Sequence, residues 1–113
     1  MRPSIRVTLF DESGERFFGE GPCRLLHAIE QTGSLRAAAQ SMQMAYTKAL
    51  ALVRHAEQVL GFPLTRRTIG GRGGGGSVLT DEAKEFLSRY EQYRDACTDA
   101  GRTLYDRYFP DGK

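Results

Sequence analysis

Residues 70–76 comprise six glycines and one arginine, and short strand-like runs flank them on both sides. Leu64 to Ile69 precedes the glycine-rich run, and Ser77 to Leu79 follows it. Such a run between two short apolar or β-branched segments is typical of a β-hairpin, because glycine tolerates the backbone angles of tight turns. A hairpin is therefore predicted over residues 64–79, where it separates two helical regions.

Three helices are predicted ahead of this hairpin. The first begins near Pro22, a residue suited to the first turn of a helix, and stops at Gly33. Ser34 is a candidate N-cap for a short helix over residues 35–41, whose three consecutive alanines permit close packing. A third helix over residues 45–60 carries an apolar stripe on one side and polar, partly basic residues on the other.

The two ends of the chain predict a second hairpin and a long helix. Apolar and polar residues alternate over residues 5–10, and a turn with a short return strand completes a hairpin over residues 1–19. Thr80 is the candidate N-cap of a helix that continues to residue 109, a length of about 45 Å. Gly101 is its weak point, because a glycine inside a helix costs about 1 kcal/mol relative to alanine.

This order of elements predicts one winged helix-turn-helix domain, mainly α with a small β content. A hairpin over residues 1–19 leads into a three-helix core over residues 21–61. The wing occupies residues 64–79, and the long helix follows over residues 80–109. Because 113 residues suffice for one core, we expect the protein to lack an effector domain of its own.

Positive charge is concentrated in the middle of the chain. Lysine and arginine exceed aspartate and glutamate by only 16 to 14 overall, a net charge of +2. Between residues 34 and 76, however, Glu57 is the only acidic residue among the basic ones. The third helix and the wing thus carry the charge that binding to nucleic-acid phosphates requires.

A helix that enters the major groove of DNA brings residues near its amino terminus to the base edges. We therefore expect base contacts from residues on or just before the third helix, namely Gln43, Tyr46, Thr47, Lys48 and Leu50. Contacts to the DNA backbone are expected from the start of the second helix, from the third helix and from the wing. The residues are Ser34, Arg36, Arg54, Arg66, Arg67, Thr68 and Arg72. The competing interpretation of the third helix is an ordinary solvated face.

Aromatic and apolar residues recur along the long helix at spacings of three and four, as in a heptad seam. The seam consists of Phe86, Tyr90, Tyr93, Cys97, Ala100 and Leu104. A domain of this size cannot cover so long a helix, so we expect the seam to form a homodimer interface. An intramolecular core stripe and a partner helix are the alternatives. Two recognition helices related by a two-fold axis predict an operator that is an imperfect palindrome.

Several of these motifs resemble those of bacterial regulators. Residues 34–39 (SLRAAA), Leu60-Gly61 and residues 64–67 (LTRR) are similar to the amino-terminal domain of LysR-type regulators. The run from Gly70 to Thr80 more closely resembles the DNA-binding domain of the molybdate-responsive ModE family. The resemblance covers roughly residues 21–90. It implies a dimeric winged helix-turn-helix transcription factor whose long terminal helix takes part in dimerisation.

Three departures from the ModE pattern limit what the resemblance implies. Ala45 stands where that family usually has serine, and Leu50 where it usually has tryptophan, so the operator sequence does not carry over. Family members also have carboxy-terminal oxyanion-binding domains, whereas this chain ends at Lys113. Molybdate sensing is therefore not implied.

Other kinds of chemistry have little support in the sequence. The two cysteines lack CxxC spacing, and neither His27 nor His55 is followed by a second ligand four residues later, so no metal site or cofactor is predicted. The glycine run lacks the Gly-Lys-Ser/Thr ending of a P-loop, and no set of catalytic residues is recognisable, so we expect no enzyme activity.

The remaining predictions concern location and alternative functions. No apolar segment is long enough to cross a membrane and no signal peptide is recognisable, which predicts a cytoplasmic protein. The main alternative to a DNA-binding regulator is a protein-interaction module with the same fold. A further alternative is an accessory protein that binds an oxyanion at the glycine loop, although no small-molecule ligand is predicted.

Overall fold

A computed structural model of the chain describes residues 1–69 and 76–112. The elements follow one another as β1 (Leu9–Phe10), β2 (Arg16–Phe18), α1 (Glu20–Thr32), α2 (Leu35–Ser41), α3 (Tyr46–Leu60), β3 (Thr65–Thr68), β4 (Gly76–Leu79) and α4 (Asp81–Tyr108). Each strand pair is antiparallel, β1 with β2 and β3 with β4. The order and type of the elements agree with the predicted winged helix-turn-helix. Within the predicted hairpin tip at residues 70–76, residues 70–75, which include Arg72, lie outside the described residues.

The helix ends lie close to where the sequence predicts them. Ser34 and Thr80 cap α2 and α4, and their hydroxyl oxygens accept hydrogen bonds from backbone N–H groups three residues on. Gly33 ends α1 and Gly61 ends α3, both in the left-handed conformation that favours glycine. Ala45 supplies no side-chain cap to α3. That helix therefore begins without the stabilisation that a capping serine gives.

The amino-terminal segment differs from the prediction. Only Leu9 and Phe10 form a strand, whereas the sequence pattern suggested one over residues 5–10. The preceding residues contact α4 instead: Tyr90 donates a hydrogen bond to the Val7 carbonyl and Tyr105 to the Met1 carbonyl. The return strand β2 ends at Phe18, which pairs with Leu9, and α1 begins at Glu20, so the residues before Leu9 have no further strand to pair with. Alternation over residues 5–8 thus reflects packing on a helix rather than strand pairing.

The same segment explains the glycine inside the long helix. A Cβ atom at Gly101 would overlap the Ile5 side chain, which lies directly over this point of α4. The glycine therefore lets the amino-terminal segment approach the helix closely.

The core forms where β2 meets α1, α3 and the first turns of α4. Phe18 is 2 % exposed and packs edge-to-face on Phe86 and Tyr90, with ring centroids 4.8 and 4.9 Å away. Such edge-to-face pairs add to the stabilisation from burial alone. Tyr90 is itself 3 % exposed, and its hydroxyl is satisfied by Val7. Tyr90 therefore belongs to the core of the chain itself rather than to an exposed seam, which differs from the expectation that it takes part in dimerisation. Phe86 is half-buried against the same core.

Candidate nucleic-acid interface

Helix α3 presents one side to the core and the opposite side to solvent. Its buried residues are Ala49, Val53 and Ala56. At 100° per residue, the opposite side is formed by four exposed residues, Thr47, Ala51, Arg54 and Gln58. Thr47 and Arg54 were predicted to contact DNA. Ala51 and Gln58 were not among the predicted contacts, although each follows one of these residues by four positions, Ala51 after Thr47 and Gln58 after Arg54, a spacing that predicts a shared face.

The other predicted base-contacting residues lie beside this outward face. Lys48 is exposed on one flank, whereas Tyr46 and Leu50 are half-buried on the other. Gln43 is exposed in the turn between α2 and α3, where its φ of +55° is rare for a residue with a side chain. The structure therefore brings the five residues to the same end of α3, with Thr47 at the centre.

Helix α2 contributes two of the predicted backbone-contacting residues. The Arg36 guanidinium lies 4.2 Å from the centre of the Tyr46 ring, which is a cation–π contact between α2 and α3. Ser34 accepts a hydrogen bond from the Ala37 backbone N–H and can still donate its hydroxyl proton to a phosphate. Arg36 is exposed, so its charge is available at the surface while its planar group is held in place.

The wing places its predicted residues at the surface. Arg66, Arg67 and Thr68 on β3 are exposed and pair with Val78, Ser77 and Gly76 on β4. Because successive strand residues point to opposite faces, the two arginines lie on opposite faces of the ribbon. The Thr68 hydroxyl oxygen accepts a hydrogen bond from the Gly76 N–H at 3.0 Å, so the Thr68 side chain also links β3 to β4.

Hydrogen bonds hold the wing at a fixed position relative to α3. A Glu57 carboxylate oxygen on α3 accepts from the Leu64 N–H at 2.8 Å, immediately before β3. Thr80, directly after β4, donates its hydroxyl proton to the Pro63 carbonyl at 2.7 Å and its N–H to the Leu64 carbonyl at 3.0 Å. Pro63 and Leu64, which lie between α3 and β3, are therefore hydrogen-bonded to α3 through Glu57 and to the start of α4 through Thr80.

The amino-terminal segment and the β1–β2 hairpin extend the basic surface beyond the predicted residues. Arg6 and Arg16 line an open groove of about 510 Å³ together with Lys48 and His55 of α3. This extension could not be predicted from the sequence, because only the packed structure brings residues 6 and 16 next to α3.

Asp11 in the hairpin turn connects the hairpin to α3. One of its carboxylate oxygens lies 3.3 Å from His55 Nε2, and the other accepts hydrogen bonds from Ser13 and Glu15. The Ser13 hydroxyl and the Glu15 backbone N–H lower the pKa of Asp11 to about 2. The carboxylate is therefore ionised at neutral pH.

Two clusters of metal-ligand type are present among the described residues, although the sequence predicted none. One consists of Cys23, His27 and Glu91, and the other of Asp11, Glu15 and His55. Cys23 precedes His27 by four residues on the same helix, whereas the sequence prediction rested only on ligands that follow each histidine.

No helix in residues 1–69 and 76–112 combines the length and apolar character that crossing a membrane requires.

Comparison with known proteins places this architecture among bacterial regulators. Residues 23–84, from α1 to the start of α4, match the family model described as bacterial regulatory helix-turn-helix protein, lysR family. The crystal structure of a LysR family transcriptional regulator superposes with a TM-score of 0.55 at 15 % identity, covering 77 % of this chain and 28 % of that one. This similarity shows the fold.

Curated relatives are similar over most of the chain. The transcriptional regulator ModE of Haemophilus influenzae is 32 % identical over 87 residues, which are 77 % of this chain and 34 % of that protein. The molybdenum transport protein ModE of Herbaspirillum seropedicae is 35 % identical over 89 residues, or 79 % of this chain and 31 % of that protein. The chain thus spans about a third of the length of these relatives.

Proposed function

The chain belongs to the lysR family of bacterial regulatory helix-turn-helix proteins, and we propose that it regulates transcription by binding specific sequences in double-stranded DNA. The match confirms the predicted LysR-type domain and winged helix-turn-helix fold, and the curated relatives confirm the resemblance to ModE. One observation carries the proposal: the exposed polar face of α3 and the arginines of β3 belong to elements that Glu57 and Thr80 tie together.

In this proposal, α3 enters the major groove with its amino-terminal end towards the bases. Thr47 can contact a base through its hydroxyl or its methyl group, and Lys48 can donate to the acceptors of guanine. Ala51 has only a methyl side chain, so the helix can approach the groove floor closely at that point. These contacts would distinguish one DNA sequence from another.

The wing and α2 supply contacts that do not depend on sequence. Arg66 and Arg67 lie on opposite faces of the β3–β4 ribbon, so the ribbon can address phosphates on both sides of a groove. Arg36, Arg54 and the Ser34 hydroxyl are placed to contact phosphates beside α3. Each neutralised phosphate releases counterions, so binding should weaken steeply as salt is added.

We further propose that a second copy of this chain packs against the distal half of α4. This 28-residue helix is about 42 Å long and makes the molecule 58 Å in its longest dimension. Beyond Tyr90, five residues share one face of the helix, namely Tyr93, Cys97, Ala100, Leu104 and Tyr108. Tyr93, Leu104 and Tyr108 are 57 %, 46 % and 70 % exposed, which leaves an apolar stripe for a partner to cover.

A two-fold dimer would present two α3 helices to two successive major grooves, about 34 Å or a multiple of this apart. The operator would then be an imperfect palindrome. The four-residue and three-residue spacings of the stripe suit helix-on-helix packing.

The first test separates sequence-specific contacts from general contacts to the DNA backbone. An operator is selected from random duplexes, and binding is measured by fluorescence anisotropy at several salt concentrations. Lys48→Ala should lower discrimination at one or two base pairs by about 1–3 kcal/mol per position. Arg67→Ala should weaken binding to all duplexes, with a salt slope smaller by about one.

Arg102→Ala is the control for this test, because Arg102 is exposed on α4 away from α3 and the wing. It should leave both affinity and salt slope unchanged. Absence of duplex binding at low salt would contradict the proposal and favour the protein-interaction module. Identical effects of Lys48→Ala and Arg67→Ala would refute the division of roles between α3 and the wing.

A second test addresses the dimer. Leu104→Asp places a charge in the middle of the exposed stripe, and burying an unpaired carboxylate between two helices is costly. We expect sedimentation equilibrium to show a dimer for the unaltered protein and a monomer for this variant.

Arg102→Asp is the matched control, because residue 102 faces away from the stripe on the same part of α4. This variant should remain a dimer. An unaltered protein that is monomeric at tens of micromolar, or a Leu104→Asp variant that still dimerises, would refute the proposed interface.

A further inference from the structure

Cys23, His27 and Glu91 form a cluster of three different ligand types between α1 and α4. Cys23 and His27 are four residues apart and therefore lie on the same face of α1, which packs against the face of α4 that carries Glu91. The sulfur, the imidazole nitrogen and a carboxylate oxygen all lie within 4.8 Å of one another. His27 Nε2 is 3.1 Å from the nearer Glu91 oxygen.

This ligand set selects a particular class of metal ion. A thiolate favours borderline-soft ions, whereas imidazole and carboxylate are both common ligands of zinc. A tetrahedral zinc ion with bonds of 2.0–2.3 Å keeps its ligand atoms about 3.3–3.7 Å apart. The nitrogen–oxygen separation is already near this range, so small side-chain movements would complete the coordination.

The surroundings of His27 match those of a metal-binding histidine. Its second nitrogen, Nδ1, lies 3.5 Å from a carboxylate oxygen of Glu30, one turn further along α1. A carboxylate next to the distal nitrogen favours the tautomer with the proton on Nδ1, which leaves Nε2 free to bind a metal. Glu30 is thus placed as the outer partner that orients the ligating ring.

Acidic side chains outnumber basic ones around the cluster. Glu30 lies next to His27, and Glu20 and Asp95 form ion pairs with the neighbouring Arg94. An open groove between α1 and α4, which Lys84 also lines, reaches His27 and Glu91 from solvent. The Arg94 guanidinium opposes a cation, since one of its nitrogens lies 4.0 Å from the Cys23 sulfur and another 3.7 Å from Glu91. Arg94 is therefore a built-in competitor for the same ligands.

We propose that Cys23, His27 and Glu91 bind a divalent cation of the zinc type, with solvent in the fourth coordination position. Cys23 gives up its thiol proton to solvent when its sulfur ligates the ion. The bound ion links α1 of the helix-turn-helix to α4, and so stabilises the folded protein by an amount that rises with the logarithm of the free metal concentration once the site is filled. This proposal does not depend on DNA binding or on dimerisation.

The other ligand cluster is the weaker candidate. Glu15 is 75 % exposed and would lose side-chain freedom on binding, and one Asp11 oxygen is already occupied by the hairpin turn. The second cluster also contains no sulfur ligand. It serves as an internal comparison for the test.

The test uses the full chain with Co²⁺ as a spectroscopic probe and Zn²⁺ as a competitor. Thiolate ligation of Co²⁺ gives a sulfur-to-metal charge-transfer absorption, which added Zn²⁺ should abolish. Cys23→Ala should lose this absorption. His27→Gln and Glu91→Gln should each weaken zinc binding at least tenfold, and Glu30→Gln should weaken it roughly tenfold through the outer partner.

Two control variants and one variant that should bind zinc more tightly complete the test. Cys97→Ala and His55→Gln should leave both the absorption and the zinc affinity unchanged. Arg94→Gln should tighten zinc binding, because it removes the competing positive charge. Failure of the unaltered protein to bind Co²⁺ or Zn²⁺ would overturn the proposal. Loss of the absorption in Cys97→Ala, or of zinc binding in His55→Gln rather than His27→Gln, would also overturn it.

Discussion

Replacing Phe18 with alanine should lower the free energy of unfolding by about 3–5 kcal/mol, which is a large share of the stability of a domain this size. Phe18 is 2 % exposed and joins the hairpin, α1, α3 and α4 in one core. Alanine would leave a cavity and remove both edge-to-face contacts, to Phe86 and to Tyr90. Urea denaturation followed by circular dichroism measures the loss.

Phe10→Ala is the matched control, because it makes the same change in the neighbouring strand. Phe10 is 59 % exposed, so its truncation should change the free energy of unfolding by no more than about 0.5 kcal/mol. Equal losses in the two variants would show that Phe18 does not hold the core together as described. Where Phe18→Ala remains folded in the absence of urea, its DNA binding should resemble that of the unaltered protein.

The helices of this protein were predictable because the signals that mark their ends are local. Ser34 and Thr80 cap helices with their own side chains, and Gly33 and Gly61 end helices at left-handed angles. Such features depend on a few neighbouring residues, so they can be recognised without knowing the tertiary contacts.

Contacts between distant parts of the chain were harder to predict. Strand-like alternation over residues 5–8 became packing on α4, because the short strand β2 offers those residues no partner. Heptad spacing assigned Tyr90 to a dimer seam, yet the same spacing suits a helix that packs on its own core. The exposed fraction of each side chain separates the two cases, and only the folded structure provides it.

The candidate site, too, was predictable where local sequence signals place its residues and unpredictable where distant parts of the chain meet. The sequence was sufficient to place Thr47 and Lys48 on one helix and Arg67 on one strand of the second hairpin. It did not place Arg6 and Arg16 beside α3, because these residues belong to the amino-terminal segment and to β2, which are distant from α3 in the sequence. The cluster of Cys23, His27 and Glu91 likewise combines a local spacing on α1 with a distant residue on α4.

Gly76→Ala tests how the wing is attached to the helix-turn-helix. A Cβ atom at this position would overlap the carbonyl oxygen of Gly33, which accepts the hydrogen bond from the Ser77 N–H at 2.7 Å. Gly33 cannot easily move away, because its left-handed backbone ends α1 and its N–H is bonded to the Ile29 carbonyl. Either β4 or the start of α2 must shift, at a cost of about 1–3 kcal/mol in unfolding free energy.

The displaced wing should also weaken DNA binding, by at least as much as Arg67→Ala does, since Arg67 pairs with Ser77 in the β3–β4 ribbon. Gly21→Ala is the matched control: no atom lies within 4 Å of its added Cβ, and alanine favours the helix α1 to which residue 21 belongs. Thermal denaturation should therefore show a higher midpoint for Gly21→Ala and a lower one for Gly76→Ala. If both glycines tolerate alanine equally and DNA affinity is unchanged, the close contact between β4 and Gly33 does not position the wing. A higher midpoint for Gly21→Ala together with a lower midpoint and weaker DNA binding for Gly76→Ala would show that the position of the wing depends on the end of α1 as well as on α3.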